Sequence, residues 1–502
     1  MDDARLLRIV NFADLRFQLF DGAVKPAALM ILAQGDPDSS GHRFDYWVPK
    51  ADLNLRMGRV ITLGSADKRT LDSRQANEDP YVFKRRLWMS EPESKLFNYL
   101  SALPKLGAYV LEYGKIYRGK ESFDDRWVMG NGFQPVNEER LGEESYRTYY
   151  SEIVPNVPYL PIEEFRTLAQ DRERLQPFND GHKGMVRRKG FERGFTGPRV
   201  LVPRGIRVGG QRLRATYVEA PLAFQDILLA ISAPPGEAAR AKLLTALLNS
   251  KLLFWFAFHN AASFGADRPE VNQTEFLRLP FPMRGDVGRN DRSERAASSL
   301  VALVDQAMAF STEVLPTGQM DGRAFEELDS LCYAYFGLGE EEITLVEDAV
   351  DHVIPSIQPH AGAPIHLCRP ATQADRNAYS NTLLASMSEW FDEDVAINAV
   401  LEARNDDLAL LHLRLVDRGS AAPYRERDSR ALGEAISRLG AKLEVSLPGN
   451  FQLVPDFRMF TGKSLRLVKP LQRRFWLRSA AITDADALAI ELHDALRTGH
   501  SS

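Results

Sequence analysis

RIVNFADLRFQLFDGAVKPAALMIL, residues 8–32, is the stretch from which the fold is read. Two apolar runs, Arg8-Ile9-Val10-Asn11-Phe12 and Ala27-Ala28-Leu29-Met30-Ile31-Leu32, flank Asp14 to Pro26, which carries Phe17, Leu19 and Phe20. The pattern predicts strand, short crossover, strand. Near-continuous apolar runs suit strands covered on both faces, and two strands cannot hold together by themselves in water. The chain is therefore expected to begin partway through a larger sheet and to show an exposed apolar edge in isolation.

Outward from this unit, residues 45–165 are mixed. A helix is predicted over Lys95–Leu111, followed by a turn-rich stretch holding Trp127, Phe133, Tyr146, Tyr149 and Tyr150. Those aromatics either stack on bases or fill a small β-rich core, and the core is the reading taken. Val200–Val202, Thr216–Val218 and Ile227–Ile231 read as strands, and the helical spacing of apolar residues is clearest from Glu237 to about Asn260. Further helices are predicted over Ala296–Leu315, Arg323–Phe336 and Glu340–Ile354. After a Pro- and His-containing stretch, 355–370, a separate domain is expected, with a helix over Arg376–Phe391, strands over Ala396–Ala403 and Leu408–Leu415, and helices over Arg430–Leu439 and Asp484–Leu496. The expected segments are 1–44, 45–284, 285–370 and 371–502: terminal strands, a mixed domain, a helical segment and a small α+β domain. The fold class is α/β and α+β multidomain, which a length of 502 residues accommodates at about 150 residues per domain.

Net charge is −5, with 44% hydrophobic and 26% charged residues. No apolar run reaches the roughly 18 uninterrupted residues of a membrane span, and the acidic start, Met1-Asp2-Asp3, lacks the basic opening of a secretory signal; the expected location is the cytoplasm. Cys332 and Cys368 are the only cysteines, too few for a disulfide framework or a cysteine zinc site, and both are expected as small core residues.

The charge is unevenly distributed. Gly181 to Arg214 holds Lys183, Arg187, Arg188, Lys189, Arg193, Arg199, Arg204, Arg207, Arg212 and Arg214 against Glu192 alone, +9 in 34 residues, so the remainder carries −14. A solvated charged face is one reading. The other is a phosphate-binding footprint, which the interleaved glycines and Phe191 and Phe195 favour, because glycine lets backbone approach a ligand and arginine pairs with phosphates and guanine edges. On that reading Lys183, Arg187, Arg188 and Lys189 hold phosphates, while Arg193, Arg199 and Arg204, each beside a glycine or proline, reach base edges.

Residues 8–32 resemble the last strands of the catalytic domain of large adenine-specific DNA methyltransferases of restriction-modification systems, of Type IIG and Type I-like organisation. Leu243-Leu-Thr-Ala-Leu-Leu-Asn-Ser-Lys-Leu, then Arg268-Pro-Glu-Val and Leu277-Arg-Leu-Pro-Phe-Pro, resemble their target-recognition domain. Leu328-Asp-Ser-Leu-Cys-Tyr-Ala-Tyr-Phe-Gly-Leu resembles the family's helical end. The resemblance covers residues 5–355 and leaves 371–502 unassigned. It implies a Rossmann-like sheet whose terminal strands are residues 1–44, a DNA target-recognition domain over 45–284, and double-stranded DNA as partner.

The catalytic motifs of that family are missing. Its Asn/Asp-Pro-Pro-Tyr/Phe motif has only Asp79-Pro80-Tyr81 as a counterpart, read as a turn, and Gly130-Asn131-Gly132 and Gly337-Leu338-Gly339 are read as loop glycines rather than cofactor cradles. Thr461-Gly462-Lys463-Ser464 lacks the earlier glycine of a P-loop, since Phe457 stands there. His352, His360 and His366 near Asp348 and Asp351 fit no usual metal spacing. No catalytic, cofactor or metal residues are assigned, and S-adenosylmethionine is expected on a catalytic partner or a missing upstream segment. The expected function is the sequence-specific recognition component of a methyltransferase in restriction-modification or phage defence. Two alternatives stand: a scaffold protein whose leading surface is Lys469–Arg478, and an intact enzyme with divergent motifs.

Overall fold

The computed structural model describes residues 4–19, 26–34, 42–51, 55, 60–61, 63, 67–116, 126–172, 175–207, 210–265, 269–283, 290–311, 322–357, 366–427, 429, 431–435 and 457–498. The chain divides into two compact units, one made of Met1–Ser94 with Glu347–Ser502 and the other of Lys95–Val346. The four segments drawn from the sequence are distributed over these two, with the first and last sharing a unit.

In the first unit, strands β1 (Ala4–Asn11), β2 (Ala28–Gln34), β3 (Arg43–Trp47) and β4 (Lys68–Asp72) form a sheet in the order β2-β1-β3-β4. β1 lies parallel to β3 but antiparallel to β2. The short crossover read from residues 8–32 is thus a chain reversal, and the ladder extends beyond β1 through the Phe12 N–H to the Ala27 carbonyl, 2.9 Å. Ile9, Phe44, Tyr46 and Leu71 pack with Val82 and Leu87 of the helix Val82–Trp88. β2 is different. Leu29, Met30, Ile31 and Leu32 are 52%, 48%, 40% and 45% exposed, and because successive strand residues point to opposite faces, four in a row leave both faces of this edge strand uncovered. Asp79-Pro80-Tyr81 is a turn, with Asp79 Oδ1 accepting from the Tyr81 N–H.

The second unit is built on a six-stranded mixed sheet, β5 (Val110–Glu112), β6 (Trp127–Asn131), β14 (Leu228–Ser232), β11 (Arg199–Pro203), β12 (Thr216–Val218) and β9 (Leu168–Ala169), in that spatial order. Two small ladders accompany it, β7 (Tyr149–Tyr150) with β10 (Met185–Val186) and β8 (Tyr159–Leu160) with β13 (Ala223–Phe224). The apolar spacing over 237–260 predicts one helix; the structure has two, Ala238–Leu248 and Lys251–Asn260, bent by 73°. The break lies at Asn249-Ser250. The Asn249 side chain accepts from the Ala215 N–H (3.0 Å) and donates to the Ala215 carbonyl (2.8 Å), completing that residue's backbone pairing, while Ser250 Oγ caps the second helix at the Leu253 N–H. Among the described residues no single helix is long and apolar enough to cross a membrane.

Arg212 locks this break to the helix Gly322–Phe336. Its guanidinium grips both carboxylate oxygens of Asp329, at 2.7 and 3.0 Å, lies 4.5 Å from the Phe325 ring centroid, and donates to the Asn249 carbonyl. Asp329 also accepts the Lys251 N–H at 2.8 Å. Cys332, one turn along the same helix, is fully buried, and burial pushes its thiol well above the usual range.

The first unit resumes with a five-stranded sheet, β15 (Val395–Arg404), β16 (Leu408–Asp417), β17 (Arg425–Glu426), β18 (Phe457–Thr461) and β19 (Ser464–Pro470), ordered β17-β15-β16-β19-β18. Helices Gln373–Ser388 and Arg478–Thr498 pack with it around Tyr379, Leu401, Leu411, Leu467 and Trp476. Thr461-Gly462-Lys463-Ser464 is the β18–β19 hairpin turn, Thr461 paired with Ser464 and Gly462 at φ +56°. Within the predicted helix Arg430–Leu439, residues 432–435 are helical and 430 and 436–439 lie outside the described residues.

The Lys469–Arg478 segment is built into this unit rather than displayed. Lys469 is 2% exposed and bonds Tyr379 Oη and Asp484, Trp476 is 1% exposed and donates to the Pro470 carbonyl, and Arg473, Arg474 and Arg478 pair with Asp375, Asp14 and Asp348. Of this segment Lys469, Gln472 and Trp476 are buried, while the Arg478 side chain remains 38% exposed.

Removing one partner of a buried, multiply bonded ion pair strands the other charge in a low-dielectric setting. Asp329→Ala is expected to lower unfolding free energy by about 3–5 kcal/mol in urea titration of the full chain.

Candidate nucleic-acid interface

Two glycine strands of sequence cross at the end of the six-stranded sheet, and their crossing positions the basic residues. Gly130 and Asn131 lie in β6, not in a loop, and Gly132 follows. A Cβ on Gly132 would stand 2.2 Å from the Phe224 carbonyl oxygen, one on Gly190 2.3 Å from the Gly132 oxygen, and one on Gly130 2.4 Å from Phe191 Cβ. This space is filled by the protein's own backbone and by Phe191, so Gly130-Asn131-Gly132 offers no cradle for a phosphate. Gly190 also has φ +69°, which a side chain disfavours. Beyond the crossing, Gln134 bridges Arg188: the Arg187 N–H donates to the Gln134 carbonyl at 2.8 Å and the Gln134 N–H to the Arg188 carbonyl at 2.9 Å. The segment Arg187–Lys189 is thereby stitched to the sheet end.

Strand register decides which basic residues share this place. β11 runs antiparallel to β14, Arg199 opposite Ser232 and Pro203 opposite Leu228. Leu228 lies beside Gly132 and Asp226 beside Phe133, through the Gly132 N–H to Leu228 and Asp226 N–H to Phe133 hydrogen bonds. Arg204, one residue past β11, therefore sits at the end occupied by Arg188, and Arg199 at the other, about 17 Å away at the usual rise of an extended strand.

Arg199 is also fully buried. Its guanidinium donates to the carbonyls of Gly197 (2.8 Å), Glu219 (3.4 Å), Ala220 (2.9 Å) and Leu222 (3.4 Å). Burial pushes its pKa down to about 9, leaving it cationic at neutral pH. The base-edge role read from its position beside Pro198 does not survive this placement: the side chain holds a loop in shape. Arg212 grips Asp329, and Arg214 donates to the Phe165 carbonyl and lies 5.2 Å from the Phe165 ring. Three of the ten cations that make the run stand out are thus spent inside the protein. Arg193 is half-buried in the short 3-10 turn Glu192–Phe195 and engaged in the protein's own contacts.

The others face outward to different degrees. Lys183 is exposed at φ +49°, and Arg188 is exposed with no side-chain partner among the described residues. Arg187 is braced, its guanidinium 4.6 Å from the Tyr146 ring and donating to the Arg147 carbonyl at 2.7 Å. Lys189 stands 4.0 Å from Glu192, and Arg204 3.9 Å from Glu270, with both members of the latter pair about two-fifths exposed. Pairs so long and so solvated contribute little to stability and can be exchanged for a phosphate.

Of the aromatics, Trp127, Phe133 and Tyr146 are buried, as a core reading requires, and so are Phe191 and Phe195. Tyr149 and Tyr150 are not: they are 50% and 52% exposed on β7, paired with Val186 and Met185 of β10. Two open rings thus lie on the ladder that leads into Arg187 and Arg188. An open cleft of about 400 Å³ adjoins them, lined in part by Gln134, Arg140, Tyr146, Arg187, Arg188 and Asp226. Gln134, Asp226 and Arg140 carried no sequence signal, since the fold alone brings the Gln134–Arg140 stretch to Asp226.

No other chemistry is assembled. Among the described residues no group of three or more His, Cys, Asp or Glu is placed to hold a metal; His352 lies against Arg473 at 3.2 Å, Asp348 is taken by Arg478, and His360 lies outside the described residues. Gly337, at φ +72°, ends the helix Gly322–Phe336.

No protein-family model matches the chain, and no curated protein matches it. Among solved structures it is similar to the Type IIL restriction-modification enzyme MmeI in complex with DNA, at 10% identity and a TM-score of 0.33, over 71% of this chain and 46% of that one. The chain spans about half the length of that enzyme, and a likeness of this size leaves the functional reading to the geometry above.

Gly190→Ala is expected to disturb the crossing and, with it, the placement of Arg187–Lys189. Arg199→Ala, which strands four carbonyls, should lower stability by on the order of 3 kcal/mol in denaturant unfolding. Unchanged stability of Arg199→Ala would return that residue to the candidates for ligand contact.

Proposed function

We propose that this chain is the sequence-specific DNA recognition component of an adenine-specific methyltransferase, working with a partner that holds S-adenosylmethionine. The observation that carries the reading is the segment Lys183–Lys189, in which Lys183 and Arg188 are exposed, Arg187 and Arg188 line one open cleft, and Met185 and Val186 pair with Tyr150 and Tyr149, whose rings stand open. Cations give salt-dependent grip on phosphates, and a few side chains beside them give sequence choice. In this reading Lys183, Arg187 and Lys189 contact phosphates and Arg188 and Arg204 contact base edges, while the buried Arg199 does neither.

A methyltransferase acts on adenine by taking the base out of the duplex. In this reading, recognition holds the surrounding duplex in register, and the methyl donor and the residues gripping the flipped base belong to the partner. β2 supports the need for one. An edge strand with apolar side chains open on both faces suits continuation of a sheet with helices on either side, so the sheet β2-β1-β3-β4 is the place where a catalytic sheet docks. Restriction-modification or phage defence is the setting that such a pair serves.

The test is retention of duplexes with randomised centres by the purified full chain at two salt concentrations. Expected are an enriched motif and affinity that falls with salt; Lys183→Ala should weaken binding evenly across sequences and reduce the salt slope by about one. Negligible binding at low salt overturns the reading. Calorimetric titration of S-adenosylmethionine into the chain alone is expected to give no binding, and saturable binding would replace the split assignment with an intact enzyme.

A further inference from the structure

We infer that Asp226, Gln134 and Arg188 form a reader for one C·G base pair, cytosine on the carboxylate and guanine on the guanidinium. The inference rests on the DNA-recognition reading and assigns specificity within it. Three segments meet here through backbone bonds and one side-chain bond. The Asp226 N–H donates to the Phe133 carbonyl at 2.9 Å, and Gln134 and Arg188 are partners in an antiparallel bridge, which sends their side chains to the same side. All three side chains line the open cleft. Elements fixed in this way hold polar groups in place before a ligand arrives.

The charge arrangement singles out a base edge over a phosphate. Asp226 sits in a cleft that also holds Arg140, Arg187 and Arg188, yet its carboxylate bonds none of them. Its Oδ2 accepts from Gln134 Nε2 at 2.5 Å. Arg187 is held on the Tyr146 ring, Arg140 is paired with Glu143, and Arg188 has no side-chain partner among the described residues. A carboxylate can only accept, and it repels phosphate oxygens, so at a DNA surface it is useful where an amino group is offered. Cytosine N4 offers one in the major groove, and the guanine paired with it shows O6 and N7, the two acceptors that an arginine fork fits. The Gln134 amide, turned so that its nitrogen meets Asp226, orients the carboxylate and leaves the Gln134 carbonyl oxygen as a second acceptor beside it.

The experiment is selection from randomised-centre duplexes by the full chain and by Asp226→Asn, Arg188→Ala and Gln134→Leu, with thermal unfolding run on each variant. Wild type is expected to enrich C·G at one position. Asp226→Asn and Arg188→Ala should each lose roughly 5- to 150-fold of the discrimination at that same position and keep the rest of the motif. Gln134→Leu should blunt the same position to a smaller extent. A motif retained in full by the variants, with affinity reduced alike for all sequences, overturns the inference and leaves the recognition reading intact. No enriched motif with wild type overturns both. Should Asp226→Asn fail to fold, Arg188→Ala, an exposed position, decides.

Discussion

The Arg212 guanidinium, clamped on both oxygens of Asp329 and on the carbonyl of Asn249, is the contact on which the unit Lys95–Val346 depends. Three distant stretches meet there: the basic run, the Leu-Asn-Ser break between two buried helices, and the helix Gly322–Phe336. Asn249 completes the backbone pairing of Ala215, next to β12, and so ties the break to the six-stranded sheet. Ser250 caps the second helix while Asp329 receives the Lys251 N–H. Every polar group at this junction is satisfied by another, which is the condition under which buried polar networks hold one arrangement. The motifs that carry the family resemblance, Leu-Asn-Ser and Leu328-Asp-Ser-Leu, therefore have a structural role: they tie the sheet to its helices.

That frame leaves one end of the sheet free to carry polar chemistry. Glycines at 132 and 190 allow the chain to cross itself at backbone distance, and Gly130 makes room for the Phe191 side chain, which brings Arg187–Lys189 beside Gln134 and Asp226. A close crossing of this kind is stiff, since a Cβ added at Gly132 or Gly190 meets backbone. Stiffness is what a reader of base edges requires, because discrimination comes from groups that do not move to accommodate the wrong base.

The other unit shows two opposite fates for apolar and basic surface. In Lys469–Arg478, Trp476, Arg473 and Arg474 are drawn inward and Arg478 stays partly open, and Asp375, Asp14 and Asp348 pair with the three arginines. In β2 four consecutive apolar side chains stay outside. A strand pattern without alternation is stable only when covered on both faces, and among the described residues β2 is not.

The sequence by itself determined the apolar run of residues 27–32, the strands at 200–202, 216–218 and 227–231, the main helices, and the existence of a basic glycine-rich segment, because periodicity and composition are local properties. It did not determine which cations are free. Arg199 and Arg188 look alike in the sequence, each basic and close to glycine or proline, yet one is enclosed by four carbonyls and the other stands open. Tertiary contacts make the difference: Arg199 is set among the carbonyls of Gly197, Ala220 and Leu222, whereas the bridge to Gln134 sets Arg188 on the lining of an open cleft. The helix break at Asn249, the antiparallel pairing of β1 with β2, and the meeting of Gln134, Arg188 and Asp226 were decided in the same way, by hydrogen bonds between residues apart in the chain, which no local pattern records.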